Sequence, residues 1–432
     1  MRFLYSILWT LILPLALLRL FWRSRREAGY AVNVLQRLGL FGAVTRQSTI
    51  WLHAVSVGET RAAGPLIARL RDCYPDRRIL LTQTTATGRA TAQSLYGDSV
   101  TLAWLPWDLP WSQHAFLRAW RPDVGILMET ELWPNLIAEC RLAGVPLVLA
   151  NARLSERSAR RYARLSSLAG AMLQSLSGIA AQTNADAERL RALGARNVTV
   201  AGNLKFDQSP PPDQLALGAR WRAALGTRHV ALLASTREGE EAMLLPALQA
   251  CLADDVLIAL VPRHPQRFDE VARLVAGRGM TLVRRSAGTL PGADDRVWLG
   301  DSMGELFAWY ALADLAVIGG SWLPLGGQNL IEACAAGCPV IIGPHTFNFA
   351  QATEDALAAG AARRAGNADE MAAATCRLLA DPASLKLMSD AGRAFAASHR
   401  GATERCMDLI RPLLPRLADD DHDTSHRSSL KP

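Results

Sequence analysis

The chain has 432 residues, of which 50% are apolar and 20% charged, a balance that excludes collagen-like, extensively disordered and small disulfide-scaffold classes and points to two domains. Seven cysteines without a Cys-x-x-Cys pair indicate neither a structural zinc nor a disulfide framework, and a reducing compartment fits. The net charge of +7 is uneven: residues 1–205 carry 25 Lys+Arg against 13 Asp+Glu, the remainder 22 against 27. A basic front half suits an anionic partner such as phosphate groups, acidic lipid headgroups or nucleic acid.

Residues 3–22, FLYSILWTLILPLALLRLFW, contain one charge, Arg19. A helix of that length reaches about 30 Å, the thickness of a bilayer's hydrocarbon. A cleaved signal peptide, a spanning anchor and a helix lying in one leaflet compete. Arg23, Arg25 and Arg26 follow the run rather than precede it, which disfavours the signal peptide. The same cluster keeps everything downstream in the cytoplasm if the segment inserts. Trp9, Trp22 and Arg19 are equally suited to a shallow interfacial helix.

Short apolar runs then alternate with helical stretches. Strands are expected at 50–55, 79–84, 101–105, 124–128, 146–150, 179–182 and 198–201, the rhythm of βαβ units and a parallel sheet. A proline-rich break around Asp207 to Asp213 reads as a linker. The rhythm restarts at 230–234, 256–261, 281–283, 297–299, 315–318 and 340–342, and helix fills the chain from Ala368 to about Leu417. The expected organisation is an anchor (1–24), a first Rossmann-like domain (25–207), a linker (208–216), a second Rossmann-like domain (217–395), a C-terminal helix (396–417) and a disordered tail (418–432). Two doubly wound domains predict ligands at the carboxyl ends of strands, in a cleft between the domains.

Polar residues gather at those ends. His53-Ala-Val-Ser-Val-Gly-Glu59 contains Ser56-x-x-Glu59, a capping box on one reading and a general base beside a helix N-terminus on the other. Ser235-x-x-Glu238 and Ser302-x-x-Glu305 repeat the arrangement, and pattern alone favours a cap in each. Met128-Glu129-Thr-Glu131-Leu-Trp133 sets two carboxylates where a core would prefer apolar residues. Asn151-Ala-Arg153 ends the next strand, and Lys205 stands before the linker, either a solvated lysine or an ammonium opposing negative charge. In the back half Pro262-Arg263-His264-Pro265 ends a strand, with Arg263 suited to phosphate or carboxylate. The segment Ile318-Gly-Gly-Ser321 followed by Gly326-Gly-Gln-Asn329-Leu330-Ile331-Glu332 offers backbone amides to a phosphate, with Glu332 a candidate for ribose hydroxyls. No dinucleotide fingerprint, Walker A or Gly-x-Ser-x-Gly motif occurs. Cys334 and Cys338 read as small core residues, and Asp421-His-Asp423 as a solvated charge run in the tail.

Taken together, HAVSVGE, METELWPN, NARLS, GNLKFD, S-T-x-EGEE, PRHP-x-RF, GD-x-MGEL, GG-x-N-x-x-E and GPHTFNF resemble the Kdo (3-deoxy-D-manno-octulosonic acid) transferases of lipopolysaccharide biosynthesis, in the same order from the N-terminal apolar run to about Phe349. The resemblance implies a GT-B fold and metal-independent, cofactor-free, inverting transfer of Kdo from CMP-Kdo to the 6′-hydroxyl of the lipid A precursor lipid IVA. Carried over residue by residue, Glu59 is the base, and Glu129 and Lys205 support the transition state. Pro262 and Arg263, Met303, Gly304 and Glu305, and Asn329, Leu330, Ile331 and Glu332 contact the CMP moiety. It further implies an anionic membrane surface as partner, no nucleic acid, and catalytic domains held on the cytoplasmic side of a bacterial inner membrane by the single N-terminal helix. The segment GGQNLIEA departs from the family pattern at Gln328 and Leu330 only. A GT-B transferase using a UDP-sugar and a membrane-tethered nucleic-acid-binding protein are the competing readings; the latter requires cations interleaved with exposed aromatics, which the strand-end glycines and carboxylates do not supply.

Overall fold

The computed structural model describes residues 1–414; the expected tail, with Asp421 and Asp423, lies outside the described residues. The chain divides into two compact units, Met1–Leu204 with the segment from Gly401 onward, and Lys205–Arg400.

In the first unit α1 (Arg2–Arg26) precedes β1 (Thr49–His53), α2 (Val57–Ala62), α3 (Gly64–Cys73), β2 (Arg78–Gln83), α4 (Ala86–Tyr96), β3 (Thr101–Trp104), α5 (Pro110–Trp120) and β4 (Val124–Met128). The chain continues through α6 (Pro134–Leu142), β5 (Leu147–Ala152), α7 (Glu156–Ala163), α8 (Ser166–Gln174), β6 (Gly178–Ala181), α9 (Asn184–Ala192) and β7 (Val198–Val200). The strands form one parallel sheet in the order β3-β2-β1-β4-β5-β6-β7. Strand direction of travel across the sheet reverses at β1/β4, the topological switch point where doubly wound folds place ligands. Because both faces are covered, β1, β4, β5 and β6 read as unbroken buried runs rather than alternating ones.

The second unit repeats the scheme with α10 (Pro212–Leu225), β8 (Val230–Thr236), α11 (Glu240–Cys251), β9 (Leu257–Pro262), α12 (Phe268–Ala276), β10 (Leu282–Arg284), β11 (Val297–Leu299), α13 (Leu306–Leu312) and β12 (Leu315–Ile318). It is completed by α14 (Leu330–Ala336), β13 (Val340–Ile342), α15 (Ala350–Ala358), β14 (Ala362–Arg364), α16 (Ala368–Leu379) and α17 (Pro382–Ser398). Its sheet, also parallel, runs β10-β11-β9-β8-β12-β13-β14, with the switch at β8/β12. Trp221, Trp298 and Trp309 pack ring to ring at 4.5–5.0 Å in its core.

Four expectations need correction. The linker does not extend to 216, because Pro212 takes the first turn of α10, where its fixed φ is preorganised and its missing N–H costs nothing. No single helix occupies 396–417: α17 runs to Ser398 in the second unit, and α18 (Ala402–Ile410) returns to the first, burying Ala402, Cys406, Met407 and Ile410 in its core. Strand β14 was missed because Arg363 and Arg364 are exposed on an edge, where charge blunts further pairing. Cys251 of α11 and Cys376 of α16 are joined in a disulfide, across 125 residues that carry no spacing signal. Cys334 and Cys338 are buried, as expected of core residues.

Candidate functional site

In the first unit the residues of interest leave adjacent strands at one edge of the sheet. Beyond β1 the chain turns through Val55 and Ser56 into α2. Ser56 Oγ accepts the Glu59 N–H at 3.2 Å, and the Glu59 carboxylate reaches back to Val55 N at 2.7 Å and Ser56 Oγ at 2.8 Å. The capping box is therefore real. It also does more than cap, because it fixes both carboxylate oxygens while leaving lone pairs on each. The turn is held from behind: Thr85, which caps α4, donates its hydroxyl to Val55 O at 2.7 Å. Gly88 lies so close that a Cβ there would stand 2.7 Å from the same oxygen.

Glu59 is only 9% exposed. Burial pushes its pKa from 4.5 to about 7, against the Val55 hydrogen bond, and the negative charges of Glu129 and Glu131 push the same way as burial. Those two glutamates follow β4. Glu129 adopts φ +54°, a left-handed conformation uncommon outside glycine, while its N–H bonds Ala150 O at 3.0 Å. Glu131 accepts the Trp133 indole N–H at 2.9 Å, and burial raises its pKa as well. Trp133 stands edge-on to His53 at 5.5 Å, and complete burial lowers the His53 pKa to about 4, so the imidazole is neutral. Asn151, in the next strand, is committed to structure: its Oδ1 accepts Leu204 N at 3.0 Å.

In the second unit Ser235, at φ +58°, breaks the register of β8 against β9. The expected Ser235-x-x-Glu238 cap is absent, since α11 begins at Glu240 and Glu238 is exposed. The acids that matter are the next two. Glu240, fully buried, accepts N–H groups from Arg237 at 2.9 Å, Gly320 at 2.7 Å and Trp322 at 3.0 Å. Glu241 takes both guanidinium nitrogens of Arg267, at 2.8 and 2.9 Å, and the Thr236 hydroxyl at 2.6 Å. Glu240 ties the loop after β12 to the loop after β8, on either side of the switch point, and Glu241 ties the end of β8 to the turn after β9. Gly319 permits that closeness, because a Cβ there would meet Ser235 O at 2.5 Å.

Around this scaffold stand the expected donor-binding residues. Pro262 ends β9, and Arg263 N bonds Thr236 O at 2.9 Å. Met303 and Gly304 are exposed, and Gly304 has φ +86°. Gln214 of α10 donates to Gly304 O at 2.5 Å and accepts Phe307 N at 3.2 Å. Glu305 is held by Arg285 at 2.9 Å and by the Ser302 hydroxyl, so Ser302-x-x-Glu305 is a side-chain clasp and not a helix cap. Asn329 caps α14 by accepting Ile331 N at 3.1 Å, and its amide donates to Glu332 at 3.0 Å. The side chains of Leu330 and Ile331 are buried in the core and the Ile331 N–H is committed to the Asn329 cap, so what the pair presents is backbone at the start of α14. The Lys205 ammonium lies 4.9 Å from the centre of the Phe349 ring, in cation–π contact. Sequence reasoning passed over the holding roles of Glu240, Glu241 and Gln214; an acidic pair opening a helix between two glycine-rich strand ends was the available signal for the first two.

Comparison with known proteins bears on the family and the fold. Residues 33–208 match the family model described as 3-deoxy-D-manno-octulosonic-acid transferase (kdotransferase), and residues 230–381 match glycosyl transferases group 1. The 3-deoxy-D-manno-octulosonic acid transferase of Bordetella pertussis is 47% identical over 91% of this chain and 95% of its own. That of Haemophilus influenzae is 38% identical over 96% of this chain and 99% of its own. Among solved structures, Anabaena HepE in complex with UDP superposes with a TM-score of 0.59 at 15% identity, covering 85% of this chain and 99% of that one, a likeness of fold alone. The two doubly wound units are thus those of a GT-B protein, and the chain belongs to the 3-deoxy-D-manno-octulosonic acid transferase family.

Proposed function

We propose that the chain transfers Kdo from CMP-Kdo to the 6′-hydroxyl of lipid IVA with inversion, at the cytoplasmic face of a bacterial inner membrane. The observation that carries the reading is Glu59: a carboxylate fixed by Val55 and Ser56 at the β1/β4 switch point, with a pKa of about 7. A general base works best when its pKa lies near the operating pH.

Ionised Glu59 takes the proton of the 6′-hydroxyl as that oxygen bonds to C2 of Kdo, and the bond from C2 to the CMP phosphate breaks with its electron pair leaving on phosphate. The departing charge falls to groups of the second unit: the Arg263 guanidinium, the backbone N–H of Leu330, and the Lys205 ammonium, so the reading calls on no metal and no cofactor. Glu129 supports positive charge developing at the anomeric carbon. Asn329 and Glu332 hold the nucleoside, and Pro262, Met303, Gly304 and Glu305 line the nucleotide.

Membrane attachment rests on α1, whose Arg2–Arg25 stretch has a mean hydropathy of 1.9 over its most apolar window and is long enough to cross a bilayer. Polar side chains near its start nevertheless meet the rest of the first unit. Ser6 donates to Asn135 at 3.0 Å, Tyr5 lies near the buried Asp108, and Leu20 packs with Tyr30 and Ala86. These contacts favour a helix resting in one leaflet with Phe3, Leu4, Leu11, Leu15 and Leu18 toward lipid.

Incubation with CMP-Kdo and lipid IVA, with products weighed by mass spectrometry, tests the reading. Glu59→Ala is expected to abolish the Kdo adduct while CMP still binds; near-normal turnover of that variant removes Glu59 from the base role.

A further inference from the structure

The strand after the Glu129 loop leads into a surface that the proposed chemistry does not use. β5 lies beside β4, and from its carboxyl end the chain passes Arg153 and enters α7. On α7 and its last turn, Arg157, Arg160, Arg161 and Arg164 fall at i, i+3, i+4 and i+7, one helical face. All four are exposed and, with Glu156, they line a hollow of about 530 Å³. Glu156 is the single acid in it and pairs with Arg160. Arg157, Arg161 and Arg164 have no carboxylate partner among the described residues. The opposite face of α7 is apolar: Ala159 and Tyr162 pack against the same core cluster as Leu132 and Trp133 of the Glu129 loop. The arginine face therefore rests on the same core that supports the loop carrying Glu129 and Glu131.

Guanidiniums crowded on one helical face repel one another and serve stability poorly, whereas they suit a dianion that several of them grip at once. A phosphate monoester is such a group, and the hollow exceeds what one phosphate fills, which leaves room for the sugar that bears it. We propose that this face of α7 recognises a phosphate monoester of the lipid acceptor and so holds the disaccharide with its hydroxyl toward Glu59. The proposal rests on the acceptor reading given above. The same chemistry is also presented by acidic headgroups of the bilayer, and the test separates the two sources.

The variants are R157Q/R161Q and R160Q/R164Q, assayed with CMP-Kdo and three acceptors: lipid IVA and its two monophosphoryl forms, one lacking each phosphate. Binding to phosphatidylglycerol vesicles is followed alongside by sedimentation. The variants are expected to raise KM for lipid IVA by about tenfold or more at unchanged kcat, the effect of losing charge-assisted hydrogen bonds to one group. For wild type, removal of one of the two phosphates is expected to raise KM similarly, and on that acceptor the variants are expected to add little. Equal KM increases on all three acceptors, or lost vesicle binding with phosphate sensitivity intact, assign the face to bulk lipid and overturn the proposal. Unchanged KM overturns it as well. A wild-type protein that turns over none of the acceptors removes the function beneath it, whereas an active wild type with variants that keep their phosphate sensitivity removes the proposal alone.

Discussion

The burial of Glu59 separates stability from activity, and Glu59→Gln exposes the division. A carboxyl held at about 7 in place of 4.5 costs the folded chain on the order of 3 kcal/mol once it ionises. The folded state binds this proton more tightly than the unfolded chain does. The stabilisation from protonation is thus complete below 4.5 and is lost as pH rises through about 7. Glutamine keeps the shape and does not titrate: its carbonyl accepts the Val55 N–H and its amide donates to Ser56, which preserves the cap with neutral hydrogen bonds about half as strong as charged ones. The net expectation is that Glu59→Gln is more stable than wild type by about 3 kcal/mol near pH 8, and nearly equal to it near pH 4. Hydrogen exchange of peptides spanning β1 and α2, measured at both pH values, reports this region without requiring the two units to unfold together. The same variant is expected to lack transferase activity, because an amide accepts no proton from the acceptor. A stability difference identical at both pH values refutes the reasoning, for it means that Glu59 does not carry a raised pKa in the folded chain.

Two further outcomes follow from other carboxylates, one in each unit. Glu129→Gln removes one of the negative charges that raise the Glu59 pKa, so the acidic limb of the kcat/KM profile, expected near pH 7 in wild type, is expected to move to lower pH while the maximum rate falls; a limb that stays in place shows that burial alone sets the value. Glu240→Ala strips the acceptor from three N–H groups, those of Arg237, Gly320 and Trp322, and is expected to destabilise the second unit by roughly 3 kcal/mol or more in urea unfolding and to weaken CMP binding; a loss below about 1 kcal/mol means that water replaces the carboxylate.

What was legible in the chain depended on whether the cause was local. Strands β4, β11, β12 and β13 stand where β-branched runs bounded by glycine, proline and polar residues placed them, because a strand buried on both faces needs only a short apolar stretch. The strand-end motifs were equally visible, since polar residues are tolerated there and costly one step earlier in the core. Three Ser-x-x-Glu patterns, by contrast, looked alike and proved to be three different things: a capping box at Ser56, a register break at Ser235 and a clasp shared with Arg285 at Ser302. The spacing fixes only the reach of the glutamate. Where the helix begins decides the role, and that is set by distant contacts, such as Glu240 meeting the amides of Gly320 and Trp322, about eighty residues away in the chain.

The N-terminal helix shows the limit most plainly. Its apolar length was read from composition, and composition cannot report which face a helix turns to its neighbours. Arg2, Ser6 and Tyr5 meet Glu139, Asn135 and Asp108 near its start, and Leu20 is buried near its end. Eighteen residues of rise are about 27 Å, so the contacts near its two ends are separated by nearly the length needed to cross a bilayer, with a largely exposed stretch between them. Standing such a helix upright in lipid means either breaking those hydrogen bonds, at several kcal/mol for each polar group left unsatisfied in hydrocarbon, or drawing Asp108 and Glu139 in with it. Lying flat keeps those contacts and still leaves Phe3, Leu4, Leu11, Leu15 and Leu18 exposed for acyl chains.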